Sequence, residues 1–145
     1  MGEVTMAREG SVNPINSIST EVSEKRLKEK IYALEKYQGS NREGDLVNPI
    51  PYAGKDMLYK TFLSQDRWYN NYVGEREIDI EQLETVQPIV QRGVLLRKID
   101  SSNDTSSIPV VSIEGRYIMQ DGNHTVAMAM LKGKKTIRVK LYEYK

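Results

Sequence analysis

The chain contains no cysteine and only one histidine, His124. Without thiols it can form no disulfide, carry out no thiolate chemistry and hold no zinc through cysteine. A single imidazole also excludes a histidine-rich metal site, which leaves a hard cation held by carboxylates as the metal chemistry still open. Neither sign of charge is in excess. Lysine and arginine number 21 against 20 aspartate and glutamate, a formal net charge of +1. No global field therefore draws the chain to nucleic acid or a membrane, and any basic surface must be local. Long hydrophobic runs are missing as well. No stretch approaches the roughly 20 apolar residues of a membrane span, and residues 1–10 are polar, with no apolar run suited to a signal peptide. The expectation is a cytoplasmic protein without membrane contact. In that setting the glycosylation patterns Asn103-Asp104-Thr105 and Asn123-His124-Thr125 carry no meaning.

What is present is ordinary for a globular domain: 145 residues, 39% hydrophobic and 28% charged. Residues 1–19 are rich in Ser, Asn and Gly without a period and read as a flexible arm. Residues 20–75 read as a helical extension. Thr20 or Ser23 is positioned to cap a helix that runs to about Gln38, with Leu27, Ile31 and Leu34 on one face and Gly39 at its end. Glu21/Lys25 and Glu24/Lys28 are i,i+4 pairs in the favourable order. Residues 39–54 read as a loop. A second helix is expected over residues 55–72, with Leu58, Phe62 and Tyr69 along one side. The run Asp66-Arg67-Trp68-Tyr69-Asn70-Asn71-Tyr72 serves either as a stacking platform for bases or as a face packed on the body of the domain.

Residues 76–145 read as the α+β part. Alternation at Ile78 and Ile80 predicts a half-buried strand over residues 77–83. A helix is expected over residues 88–100, with Val90, Val94 and Ile99 inward and Gly93 as a weak point. A polar loop, residues 101–107, leads into a hairpin: Ile108-Pro109-Val110-Val111-Ser112-Ile113, the turn Glu114-Gly115, then Arg116-Tyr117-Ile118-Met119-Gln120. A helix follows from about His124 to Lys132, with an apolar stripe of Ala127, Met128 and Leu131. Residues 136–144 alternate again, with Ile137, Val139 and Leu141 on one side.

The chemistry concentrates at Asp121-Gly122-Asn123-His124-Thr125, where a strand hands over to a helix. Free backbone amides at a helix start favour an anion. Gly122 permits a sharp turn and a close backbone approach. Asn123 or Thr125 is suited to cap the helix. His124 can donate a hydrogen bond, carry charge, or act as acid or base near neutral pH. The plainer alternative is a common Asp-Gly turn, a capping asparagine and a structural histidine. Glu81, Glu84 and Asp121 are candidate carboxylates for a metal ion or a general base. Lys132, Lys134, Lys135, Arg138 and Lys140 form a basic cluster, either a contact for nucleic acid backbone or an edge strand protected by lysines.

This segment resembles the ParB/sulfiredoxin-like superfamily over about residues 76–144. The resemblance rests on Pro109-Val110-Val111, Tyr117-Ile118-Met119, the Asp121-Gly122-Asn123-His124-Thr125 loop, and Ala127, Ala129 and Leu131-Lys132-Gly133. The segment Ile80-Glu81-Gln82-Leu83-Glu84-Thr85-Val86-Gln87-Pro88 and the closing strand add to it. The resemblance implies a small mixed sheet with packed helices that binds a nucleotide (CTP, ATP or ADP) at the 121–125 loop, with Mg2+ assisting. Gly122, Asn123, His124, Thr125 and Arg116 would hold the nucleotide. His124, Asp121 and Glu84 would act in catalysis, and Asp121 and Glu81 would hold the metal. The implied chemistry is phosphate hydrolysis or transfer, or nuclease action, in a DNA-associated or mobile-element setting. The chain departs from the pattern twice. It lacks the cysteine that sulfiredoxin chemistry needs, and it has Thr125 where the family usually carries an arginine, losing a bidentate grip on phosphate for which Arg116, Arg92, Arg97 or Lys98 would have to compensate. The second reading is a catalytically inactive scaffold that binds a protein through residues 20–75.

Overall fold

The computed structural model describes residues 22–145. The expected arm, a cap at Thr20 and the Glu21/Lys25 pair lie outside the described residues. Helix α1 (Glu24–Tyr32) starts where the sequence offers a cap, the Arg26 amide donating to Ser23 Oγ at 3.2 Å. Leu27 and Ile31 are its buried residues, and Lys28 meets Glu24 at 3.4 Å on the exposed side. The helix stops well short of Gln38. The chain beyond it pairs in strand fashion instead: Val47 N–H donates to the Glu35 carbonyl at 2.7 Å and Tyr37 N–H to that of Asp45 at 2.9 Å. The loop expected over residues 39–54 therefore contains a strand, β1 (Asp45–Val47), antiparallel to a strand at Ile89–Gln91. A distant pairing partner overrides local helical period.

The single helix expected over residues 55–72 is also absent. Helix α2 (Lys55–Leu58) widens into a π-turn at Tyr59–Leu63, followed by a 3-10 turn at Gln65–Arg67. Phe62 and Tyr69 are exposed, while Met57, Thr61 and Trp68 are buried. Side chains take carbonyls that a regular helix would use. The Trp68 indole N–H donates to the Thr61 carbonyl at 2.6 Å, and the Thr61 hydroxyl to that of Met57 at 2.7 Å.

Five strands make the main sheet: β2 (Tyr72–Asp79), β3 (Leu83–Thr85), β5 (Pro109–Ile113), β6 (Arg116–Met119) and β7 (Thr136–Glu143), with β4 being Ile89–Gln91. Their order is β2-β7-β5-β6-β3. The sheet is mixed, with β5 parallel to β7 and β3 parallel to β6, and the other two pairings antiparallel. The β5–β6 hairpin turns at Glu114 and Gly115, both at positive φ, 53° and 77°. The strand expected over residues 77–83 is divided. Its ladder ends at Asp79, a 3-10 turn spans Ile80–Gln82, and Leu83 opens β3 on the other edge. A flat five-stranded sheet would hold its edges about 19 Å apart. The link from Asp79 to Leu83 reaches at most about 14 Å, so the sheet is strongly curled.

Alternation along the strands makes two faces. One carries Ile78, Leu83, Val110, Met119, Ile137 and Val139 and packs on Val126 and Ala129 of α4 (Asn123–Leu131). The other carries Val111, Ile113 and Ile118 beneath Met57 and Trp68. Helix α3 (Arg92–Arg97) is shorter than the helix expected over residues 88–100, because Val90 is buried as a strand residue of β4. Leu95 of α3 joins Leu27, Ile31, Leu46 and Val90 against Ala127 and Met128. Helix α4 is thus covered on two sides, and its expected single apolar stripe is two opposed faces. The architecture is mixed α+β. Among the described residues no helix is long and apolar enough to cross a membrane.

Met128 is fully buried and Met130 is 37% exposed on the same helix. Met128→Ala should cost about 2–5 kcal/mol and Met130→Ala about 0.5 kcal/mol or less in urea denaturation. Equal losses would contradict burial of α4 on two sides.

Candidate functional site

Helix α4 begins at Gly122, in the left-handed conformation with φ 80° and ψ 25°. Glycine adopts this without strain. The position has a second constraint, since a Cβ there would stand 2.0 Å from Ile108 Cδ1. A side chain at Gly122 would therefore disturb the fold before it could report on a ligand. Asp121 is exposed, and its Oδ1 accepts the Gly122 amide at 2.8 Å. No side chain caps α4, so neither Asn123 nor Thr125 takes the expected capping role. Among the described residues, the backbone amides of Asn123, His124 and Thr125 have no acceptor.

Asn123 turns inward. Its Oδ1 accepts from Asn48 Nδ2 at 2.9 Å and from the Thr85 hydroxyl. Asn48 Nδ2 also donates to the Gln87 carbonyl at 3.0 Å, its Oδ1 accepts the Ile50 amide at 2.9 Å, and Thr85 Oγ1 accepts the Gln87 amide at 3.0 Å. This buried network ties the start of α4 to β3 and to the segments before and after it. Asn48 and Thr85 were not among the expected site residues. The one signal for Thr85 is its register: it shares an inward face with Leu83.

His124 Nε2 accepts the Gln91 amide at 3.0 Å, pinning β4 to α4. That bond uses the Nε2 lone pair, so the imidazole is neutral with its proton on Nδ1. Burial holds its pKa below the ordinary value near 6.5, and the charges of Lys98 and Arg97 lower it further. Lys98 and Arg97 thus bring positive charge to the helix start.

Glu84 and Arg116 are placed elsewhere. Arg116 Nε donates to Glu84 Oε2 at 2.9 Å and Nη2 to Oε1 at 2.5 Å, with a further bond from Nη2 to the Ala53 carbonyl at 3.1 Å. Glu84 holds the guanidinium pKa above its ordinary value. Glu84 lies between Leu83 and Thr85, which face α4, and Arg116 is two residues from Ile118, which faces Trp68. The sheet stands between this fork and the 121–125 loop. Of the residues expected to act together, Asp121 and His124 share the helix start and Glu84 does not join them. Glu81 lines a hollow with Met130 and Lys134 at the far end of α4, so the expected metal pair Asp121 and Glu81 is separated by the length of the helix. Among the described residues no cluster of three His, Asp or Glu side chains could hold a metal.

Within the basic cluster, the two residues on β7, Arg138 and Lys140, are interleaved with acid. Arg138 Nε donates to Glu75 at 2.8 Å and Nη1 lies 3.8 Å from Glu77, while Lys140 stands opposite Glu75 in the ladder. Strand β7 is interior and β2 is the edge, so these residues do not protect an edge strand. In the aromatic run, Trp68 packs edge-on against Tyr142 at 5.3 Å and supplies burial, while Tyr69 and Tyr72 stay exposed.

No family model, no curated protein and no solved structure matches this chain.

With one histidine in the chain, its imidazole can be followed by NMR without assignment by mutation. Its folded pKa lies below the unfolded value of about 6.5, so the unfolded state binds the proton first. His124 therefore supports the fold fully above that value, and the support is lost as pH falls through the folded pKa. In urea melts, wild type should lose stability between pH 7 and the folded pKa, and His124→Gln should lose less. Equal pH slopes, or an imidazole titrating above pH 6.5, would contradict the assignment.

Proposed function

We propose that the chain is a ParB/sulfiredoxin-like domain that binds the phosphates of a nucleotide at the start of α4. The observation that carries this reading is the set of three amides, of Asn123, His124 and Thr125, left without acceptors among the described residues at the head of a nine-residue helix, where the charges of Lys98 and Arg97 act on His124. The order of a β5–β6 hairpin, the 121–125 loop, α4 and then β7 parallel to β5 supports the family reading. Lys98 and Arg97 stand in for the arginine that Thr125 replaces. Arg116, spent on Glu84 across the sheet, does not take part.

Nucleotide binding is the core of the proposal, and hydrolysis or transfer is its extension. Asp121 and His124 are the side chains at hand for it. Asp121 is the one carboxylate within the loop, so a Mg2+ ion would be held mainly by phosphate oxygens and water. His124, neutral with Nε2 occupied, offers its Nδ1 proton. Contact with nucleic acid backbone is not part of the reading, because Arg138 and Lys140 face Glu77 and Glu75. The scaffold reading has one observation in its favour: Tyr59, Phe62, Leu63 and Tyr69 are all more than half exposed in the segment proposed to bind a protein.

The test is thermal shift with CTP, ATP and ADP, with and without Mg2+, on wild type and on a double Arg97→Glu, Lys98→Glu variant. At least one nucleotide should raise the melting temperature of wild type, by mass action. The variant should bind about tenfold more weakly or worse, about 1.4 kcal/mol. Equal stabilisation of both proteins would place the phosphates elsewhere. No stabilisation by any nucleotide would leave the scaffold reading.

A further inference from the structure

Folding leaves one apolar surface uncovered, on the face of the sheet opposite α4. Of the nine large hydrophobic residues that stay exposed among the described residues, six fall between positions 59 and 73: Tyr59, Phe62, Leu63, Tyr69, Tyr72 and Val73. The first five are more than half exposed, and Val73 is 42% exposed. Trp68 joins them into one surface. Its indole N–H donates to the Thr61 carbonyl at 2.6 Å, which sets the π-turn of Tyr59–Leu63 against it. Its ring centroid lies 5.9 Å from that of Tyr69 and 5.3 Å from that of Tyr142, and Tyr142 in turn lies 5.3 Å from Tyr72. Thr61 is buried and bonded to the Met57 carbonyl, so the turn keeps Thr61 inward and leaves Tyr59, Phe62 and Leu63 outside. Side chains of this size offer about 150–250 Å2 each, so the six expose roughly 600 Å2. That is at the top of the range of about 300–600 Å2 for the largest apolar patch on a monomer. It is also about three quarters of the roughly 800 Å2 that one side of a standard interface buries, before any rim residue is counted. The charges around the patch cancel. Lys55, Lys60 and Arg67 stand against Asp56, Asp66 and Glu114, with Lys60 paired to Glu114 at 2.5 Å.

We propose that this surface is covered by the same surface of a second copy of the chain, in a two-fold dimer. A rim without net charge gives a nucleic acid or a charged peptide no field to follow. Two copies meet across it without opposing like fields. A two-fold contact needs a surface that complements itself, and an aromatic and aliphatic patch of this area with a balanced rim meets that need. The buried core of such a contact is typically rich in aromatic residues, as this one is. The head of α4 lies on the other side of the sheet, so the dimer leaves it open and does not depend on nucleotide.

The test is sedimentation equilibrium of the full chain over a dilution series, without nucleotide. The variants are Phe62→Asp and Leu63→Glu, with Met130→Gln as the control at an exposed apolar residue on α4. Wild type and the control should rise with concentration from the mass of one chain toward that of two. Phe62→Asp and Leu63→Glu should each weaken the dimer about tenfold or more. All three positions are exposed, so melting temperatures at low concentration should hold. Dilution of the 15N-labelled chain should shift backbone amides of residues 59–73 and leave those of residues 123–125 in place. The proposal is overturned if wild type keeps the mass of one chain at every concentration, if it grows beyond two chains, or if the folded Phe62→Asp and Leu63→Glu proteins associate like wild type. A wild type that stays monomeric and sediments with phosphatidylcholine vesicles also overturns it, and assigns the patch to a lipid surface.

Discussion

Everything in this structure depends on burying a nine-residue helix from two sides. Helix α4 turns Val126 and Ala129 toward the curled sheet and Ala127 and Met128 toward α1, α3 and the β1–β4 pair. Neither layer alone could cover it. The first described helix and the small two-stranded sheet are thereby part of the same packed unit as the five-stranded sheet. The start of the helix is fixed with equal care. Asn123 is held by Asn48 and Thr85, His124 by the Gln91 amide, and Gly122 by a backbone conformation and a close approach that together leave no room for a Cβ. Two of the five residues in the 121–125 loop thus spend their side chains on position.

That assignment of roles reconciles the functional and structural readings of the loop. Side chains anchor the helix start, and the backbone amides of residues 123–125 are left without acceptors among the described residues. The proposed anion site, made from backbone, asks little of side chains except charge nearby, for which Arg97 at the end of α3 and Lys98 just after it are the candidates. The same arrangement limits the chemistry. Glu84 and Arg116 neutralise one another on the other face of the sheet, and Glu81 belongs to the far end of α4.

The sequence was most legible where an element is local and its period strong. The hairpin of Val110 and Ile118, the helix after Gly122 and the closing strand with Ile137 and Val139 stand where alternation and turn residues put them. It was least legible where distant pairing decides. Residues 35–37 and 45–47 leave helix and loop for a ladder that includes β4, and Val90 shows the same period in a strand of three residues as in a helix. Trp68 bonding to the Thr61 carbonyl broke a helix that its spacing favoured. In the site, residue types were legible and sidedness was not. Glu84 sits one residue from Thr85, yet the pleat sends the two to opposite faces of the sheet.

The central claim is that the head of α4 presents free backbone amides to a phosphate. Inorganic pyrophosphate titrated into the 15N-labelled chain tests it without a base or sugar to confuse the result. The expected outcome is a saturable downfield shift of the Asn123, His124 and Thr125 amides while those of Lys132 to Lys134 stay in place. Amides at 123–125 that do not move, or shifts confined to the far end of α4, would contradict it.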